Sequence, residues 1–259
     1  MRKKEKKCLR CAVGLLKSYP MTANLLTTGA DAKTKKGEKL NVKTGILYLA
    51  PFTEASQQLG RKINLCPHAS AGCSAACLFT AGRGRMKNVY QARVNKTLRF
   101  MKERGQFLID LRQSIRKFEL KFSKKGFKCA VRLNGTSDLP WEKLINFSSF
   151  PTVQFYDYTK NPQRAIENAQ GKHPANYHLT FSLSESNDED AKRVLKAGCN
   201  VAVVFSPRKT ENGLPKTFWR RKVIDGDISD VRFLDPKGGK IVGLKAKGKA
   251  KTDTSGFVR

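Results

Sequence analysis

The chain has 259 residues, 39% of them hydrophobic and 15 of them Phe, enough for one large domain or two small ones around a real core. No apolar run approaches the length that spans a bilayer, and the apolar part of the opening MRKKEKKCLRCAVGLLKSYP is too short and interrupted for a signal peptide, so the sequence reads as soluble and cytoplasmic, without a membrane partner. A net charge of +30 favours a polyanionic partner instead, nucleic acid first.

Residues 1–43 are polar and lysine-rich, with TTGADAKTKKGEK at Thr27–Lys39, and read as a flexible basic N-terminal arm. Residues 44–259 read as a single α/β domain. It opens with TGILYLAP at Thr44–Pro51, a buried strand ended by proline. A cysteine-rich loop, 64–84, follows. Two long helices come next. Tyr90, Val94, Leu98 and Met101 form the stripe of the first; Leu108, Leu111, Ile115, Phe118 and Phe122 form that of the second, with Gly105 marking a turn between them. Residues 83–128 carry 15 Lys or Arg against three acids, largely off those stripes.

From Lys128 onward strands and helices alternate. KCAVRLNGTSD is strand then loop, PWEKLINFSSF a short helix, PTVQFYDYTKN a strand, PQRAIENAQGK a helix, NYHLTFSLSES a strand, NDEDAKRVLKAG a helix and CNVAVVFSP a strand. This spacing predicts a partial (β/α)6-type barrel or an open, mainly parallel sheet. After Pro207, KTENGLPKTFWRRK reads as an inserted loop. KVIDGD, VRFLD and KIVGLKAKG read as short strands ending in a hairpin, with DPKGG as a turn.

In parallel α/β folds the working residues collect where strands end. Those ends carry Asn134, Thr136, Ser137 and Asp138, then Asp157, Tyr158 and Lys160, then Ser182, Ser184 and Glu185. Each of these types also serves as a turn former or helix cap, as Asn187 or Ser186 does in SESNDED. Asn134, Asp138 and Asp157 are taken as catalytic candidates: RLNGTSDLPWE is a long polar loop whose Gly135 allows close backbone approach, and QFYDYTK sets an acid between two tyrosines.

Three of the seven cysteines, Cys66, Cys73 and Cys77, fall within twelve residues in NLCPHASAGCSAACLFTAGRG. In a reducing compartment clustered thiols are ligands or redox groups, whereas Cys129 and Cys199, in KCAVRL and GCNVAVVF, read as core. Zinc is one reading. C-x6-C-x3-C is not a standard zinc spacing, but His68, or Cys8 and Cys11 from the arm, could complete a site. A [4Fe–4S] cluster is another: three thiolates leave one iron open, and the small residues Ala69–Ala76 let the loop wrap a bulky group. Three unligated thiols are the third reading, though three cysteines in twelve residues are improbable by accident; a thiol nucleophile is a further one, with His68 too near in sequence to be its base. His178 alternates with Leu179 and reads as a core or rim residue.

A three-cysteine loop after the first strand of a βα-repeat fold resembles the radical S-adenosylmethionine (SAM) superfamily. That resemblance implies that Cys66, Cys73 and Cys77 hold a [4Fe–4S] cluster whose fourth iron binds SAM, with Asn134, Ser137 and Ser182 among its contacts. The spacing departs from the superfamily's C-x3-C-x2-C, Ala76 stands where an aromatic is usual, and NGTSD replaces its Gly-Gly-Glu. A closer resemblance runs from about Thr22 to the C-terminus. NLCPHASAGCSAACLFTAGRG, RLNGTSDLPWE, VQFYDYTK, NYHLTFS and GLKAKG are similar to a bacteriophage family known only as gene-product-88-like proteins. This implies a phage or prophage origin and action in a bacterial host's cytoplasm.

The charge has three clustered outlets. Arg83, Arg85 and Lys87 in TAGRGRMKN could form a phosphate-binding nest. Trp219, Arg220 and Arg221 in FWRRK pair an aromatic with cations, and Lys245 and Lys247 in GLKAKGKAK add a basic strip. The sequence therefore leads to an iron–sulfur, radical-SAM-like phage enzyme acting on nucleic acid or nucleotides. The alternative is a non-catalytic, zinc- or cluster-stabilised nucleic-acid-binding protein.

Overall fold

The computed structural model describes residues 24–29, 32–207 and 213–259. Cys8, Cys11 and the first half of the expected arm lie outside the described residues. The strands are β1 (Val42–Ile46), β2 (Lys128–Arg132), β3 (Val153–Thr159), β4 (Tyr177–Ser182), β5 (Val201–Phe205), β6 (Thr217–Phe218), β7 (Arg221–Asp225) and β8 (Ile241–Lys245). The helices are α1 (Ala32–Lys36), α2 (Ser56–Leu59), α3 (Ala71–Ala75), α4 (Lys87–Lys102), α5 (Arg104–Ser123), α6 (Pro162–Ala169) and α7 (Asp188–Lys196).

The strands make one open sheet in the order β1-β2-β3-β4-β5-β8-β7-β6. Neighbours run parallel throughout, except that β6 is antiparallel to β7. The open, mainly parallel sheet is thus the form taken. From β1 to β5 each strand is laid beside its predecessor in the same direction, and right-handed crossovers in a constant direction put the connecting helices on one face. The core confirms this. Cys129, Val131, Leu133, Val153, Phe155, Tyr177 and Leu179 pack with Phe107, Leu111, Ile115, Phe118 and Phe122 of α5. Phe181, Leu183, Val201, Val203 and Phe205 pack with Ala165 of α6 and with Ala191, Val194 and Leu195 of α7. Alternate strand residues therefore point to the helices, as the two-residue period requires.

The opposite face is partly polar. Val42, Ala130 and Tyr156 are covered there by Val231 and Phe233. Beside them the Arg132 guanidinium pairs with Asp230 at 3.3 Å and lies 4.7 Å from the centre of the Tyr158 ring. The segment after β7 thus crosses this face on its way to β8.

Four expectations change. Residues 24–29 and 32–41 belong to the domain rather than to an arm: Leu25 and Leu26 are buried in the main core, and Thr27 bridges Ile46. PWEKLINFSSF forms two short 3-10 turns, Trp141–Lys143 and Phe147–Ser149, because Trp141, Ile145, Phe147 and Phe150 are all buried at spacings that no single helical stripe accommodates. VRFLD is a 3-10 turn, Arg232–Leu234, whose backbone bonds close within the segment, Leu234 N–H donating to the Val231 carbonyl and Asp235 N–H to the Arg232 carbonyl. The hairpin is β6–β7, and β8 joins β7 in parallel through the long crossing segment, which a tight turn could not supply.

Candidate functional site

Parallel strands end together, so the segments after β1, β2, β3 and β4 meet on one rim. The loops after β1 and β2 are stitched to each other. Gly135 N–H donates to the Leu47 carbonyl at 3.0 Å, Thr136 Oγ1 to the Leu49 carbonyl at 2.6 Å, and Asp138 N–H to the Leu65 carbonyl at 2.8 Å. Gly135 is required by this closeness: a Cβ there would lie 2.6 Å from the Leu47 carbonyl oxygen.

The cysteine segment is held onto that frame. Cys66 N–H donates to Asn64 Oδ1 at 2.7 Å, and its Sγ lies 3.7 Å from the Thr136 carbonyl oxygen. Ser70 caps α3, its Oγ accepting from Cys73 N–H at 3.2 Å. The same hydroxyl donates to Glu185 Oε2 at 2.7 Å, while Glu185 Oε1 accepts from Gly72 N–H at 2.7 Å. Glu185, just beyond β4, therefore clasps the first turn of the helix that carries Cys73. Gly72 leaves room for the clasp and for the chain end: a Cβ there would fall 2.1 Å from Ser255 Oγ and 2.9 Å from Phe257 Cβ.

Cys66, Cys73 and Cys77 are all half-buried and make no disulfide among the described residues. Burial pushes the Cys66 thiol far above its ordinary value, Asp138, Cys77 and Cys73 push it the same way, and Lys160 opposes them. Burial also raises the Cys77 thiol. Cys73 and Glu54 add to that, against a hydrogen bond from the Phe79 backbone and against Lys160. Cys66 and Cys77 are thus each influenced by Cys73, which disfavours their thiolates, and by the Lys160 ammonium, which favours them. Lys160 Nζ donates to Ser182 Oγ at 2.8 Å and stands 5.6 Å from the centre of the Phe257 ring, and its backbone N–H donates to Asp138 Oδ2 at 2.8 Å.

A single zinc ion bonded at about 2.3 Å to each thiolate needs sulfurs roughly 3.8 Å apart. Among the described residues no group of three or more His, Cys, Asp or Glu side chains is placed to hold one metal ion. His68 is exposed, its Nε2 3.1 Å from Asn161 Nδ2. The described residues therefore give no support to a lone tetrahedral ion on these three thiols. A cubane cluster interposes its own iron and sulfide, so its thiolates stand wider apart than those of one ion.

The other expected residues divide. Asp138 is at the rim, fixed by Arg164 Nη1 at 2.9 Å, and Arg164 also grips Glu142 at 2.8 Å. Ser182 is at the rim with Lys160. Asn134 and Ser137 are buried and occupied within the β2 loop: Asn134 Oδ1 accepts from Ser137 Oγ, Leu139 N–H and Trp141 Nε1, and its Nδ2 donates to the Leu139 carbonyl. Asp157 is 1% exposed, accepting from Asn134 N–H at 2.7 Å and from the Tyr177 hydroxyl at 3.4 Å, within the packed side of the sheet. Burial pushes its carboxyl up to about 7, against the Asn134 N–H and the nearby Arg132 and Arg164. Of the residues noted only as strand-end groups, Glu185 holds the helix that carries Cys73, and Lys160 bridges Asp138 and Ser182 on the same rim.

Arg83, Arg85 and Lys87 are exposed in the turn and helix start that follow Cys77. That turn meets the segment after β8, where a Cβ on Gly248 would be 3.4 Å from Ala81 Cβ, and Ala76 packs with Ala246 and Ala250. The basic strip of Lys245 and Lys247 thus adjoins the rim; Lys247 pairs with Asp227. Trp219, Arg220 and Arg221 are elsewhere. Arg221 opens β7, and the register Val223 with Ile241 and Ile241 with Val201 places it at the amino-terminal end of the sheet.

Compared with known protein families, residues 22–259 match the profile described as gene product 88. The chain belongs to the gene product 88 family. This bacteriophage membership agrees with the likeness of its cysteine loop and strand ends. No curated protein and no solved structure matches this gene product 88 chain, and nothing found supports the radical-SAM likeness. None of its described helices is long and apolar enough to cross a membrane.

Proposed function

We propose that this gene product 88 chain is an iron–sulfur enzyme whose rim holds a [4Fe–4S] cluster on Cys66, Cys73 and Cys77 and acts on nucleic acid or a nucleotide. The observation that supports the reading is that three half-buried cysteines stand on one loop at the carboxyl end of a parallel sheet, with Cys66 and Cys77 both under the influence of Cys73 and Lys160. A cluster held by three thiolates supplies one iron with no protein ligand, free to bind and activate a substrate. The chain's residues do the rest. Glu185 and Ser70 fix the turn that presents Cys73. Asp138 and Arg164 fix the backbone at Lys160. The Lys160 ammonium favours thiolate over thiol at Cys66 and Cys77 and would offer a cation to an anionic substrate. The +30 charge and the basic segments beside the rim support a polyanionic substrate. The reading does not extend to SAM, because Asn134 and Ser137 are hydrogen-bonded within their own loop.

Anaerobic purification with iron and sulfide tests it. The expected product is brown, with about four irons and four sulfides per chain. Cys66→Ser, Cys73→Ser and Cys77→Ser should each lower the iron content while remaining folded. A colourless protein, or iron that survives all three substitutions, would overturn the reading.

A further inference from the structure

The amino-terminal end of the sheet carries a second feature, far along the strands from the thiols. The β6–β7 hairpin turns through two residues, Trp219 and Arg220, between the paired Phe218 and Arg221. Both adopt left-handed backbone, with φ of 49° and 59°. Two-residue hairpin turns of this kind favour Asn-Gly, Asp-Gly or Gly-Gly. A bulky indole and a long cation at both positions are strained, and such strain persists only where neighbours hold it. Here Phe218 packs on Phe205 with ring centres 5.4 Å apart, Trp219 packs on Phe218 at 4.6 Å, and Arg221 Nη1 donates to the Gly239 carbonyl at 2.9 Å. The fold thus maintains an unfavourable turn that sets an indole and a guanidinium side by side.

Between this hairpin and α7 lies an open pocket of about 340 Å³, lined by Lys192, Leu195, Trp219, Arg220 and Arg221. Three of the five lining residues are cations and one is an indole. The volume is at the small end of ligand sites, suited to a single ring system. Lys192 Nζ is 5.8 Å from the centre of the Trp219 ring, and its ion pair with Glu189 is solvent-exposed and readily exchanged.

We propose that this pocket binds one unpaired nucleobase, stacked on Trp219, with its phosphates on Arg220, Arg221 and Lys192. The source to which the basic surface points is a single strand of nucleic acid. Stacking on an aromatic contributes about 1–3 kcal/mol per base and tolerates any base, so the pocket would grip a strand without reading its sequence. A base held in a duplex has no free face to offer. The proposal stands independently of what the thiol rim holds.

The test is fluorescence anisotropy of a labelled thymidine oligonucleotide titrated with the full chain at two salt concentrations, with unlabelled duplex and thymidine monophosphate as competitors. Trp219→Gly is the informative variant, since glycine accepts the left-handed turn and circular dichroism can verify that it stays folded. Affinity for the oligonucleotide should fall about tenfold or more, the stacking contribution expressed as a binding ratio. Arg220→Gly should reduce the slope of log affinity on log salt by about one. Duplex should compete poorly. Competition by the monophosphate as strong as by the oligonucleotide would support the pocket chemistry and make a free nucleotide its source. Unchanged oligonucleotide affinity in folded Trp219→Gly, with an unchanged salt slope in Arg220→Gly, overturns the proposal.

Discussion

Glu185 and Gly72 are 113 residues apart in sequence, and the carboxylate of one accepts the backbone N–H of the other at 2.7 Å. With the Ser70 hydroxyl on its second oxygen, Glu185 ties the end of β4 to the helix presenting Cys73. Glu185→Ala should cost about 1–2 kcal/mol, the range for losing hydrogen bonds to a partly exposed charged group. Urea unfolding measures this. Iron uptake on anaerobic reconstitution should fall in Glu185→Ala and less in Glu185→Gln, which retains one acceptor. Equal uptake in all three proteins would remove Glu185 from the site.

Arg164 carries a second link. Its guanidinium serves Asp138 and Glu142 together while largely buried, so removing it strands two carboxylates. Arg164→Met should destabilise by about 3–5 kcal/mol, the cost of breaking a buried pair from one side. A loss under about 1 kcal/mol in urea would show that the carboxylates find other partners.

Asp157 sets a pH dependence. Burial raises its carboxyl from 3.8 to about 7, so the folded chain holds a proton that the unfolded chain has released. Stability from this group is fully present below the unfolded value and is lost as pH rises through 7. Asp157→Asn, which keeps an acceptor for Asn134 N–H, should flatten that decline. Urea midpoints of the two proteins between pH 5 and 8 should therefore diverge, with the wild type falling faster. Parallel profiles would contradict the assignment.

Cys66 and Cys77 should react slowly in the folded chain. Burial and neighbouring charge keep both thiols protonated near neutrality. Iodoacetamide at pH 8 should modify them at least about tenfold more slowly than in urea-unfolded chain, because only the thiolate attacks. Peptide mass spectrometry resolves the two sites. Alkylation at the unfolded rate would mean that the loop opens freely.

The strands of the second half were legible because CNVAVVF is largely apolar, YHLTFS alternates apolar with polar residues, and such runs are bounded by turn formers. The organisation of the rim was not, since it depends on contacts between distant loops. Nothing near Glu185 in sequence announces Ser70, 115 residues away. Gly135 was recognisable as permitting close approach, but not as facing the Leu47 carbonyl. Asn134 and Asp157 drew attention by their polarity at strand ends, and in the fold that polarity hydrogen-bonds β2 to its own loop and to Tyr177. VRFLD failed as a strand because its backbone bonds close within the segment, which its apolar pattern does not announce.

The order of strands also has a consequence for assembly. From β2 to β5 each new strand pairs with the one just made, across short connections, so this part can zip up as the chain leaves the ribosome. β1 must wait, because its sheet partner β2 arrives only after the whole cysteine segment and two long helices have been synthesised. Closing so large a loop carries the highest entropic cost in the sheet. The cysteine segment is therefore expected to dock late, onto a rim of Thr136, Asp138 and Glu185 that has already formed.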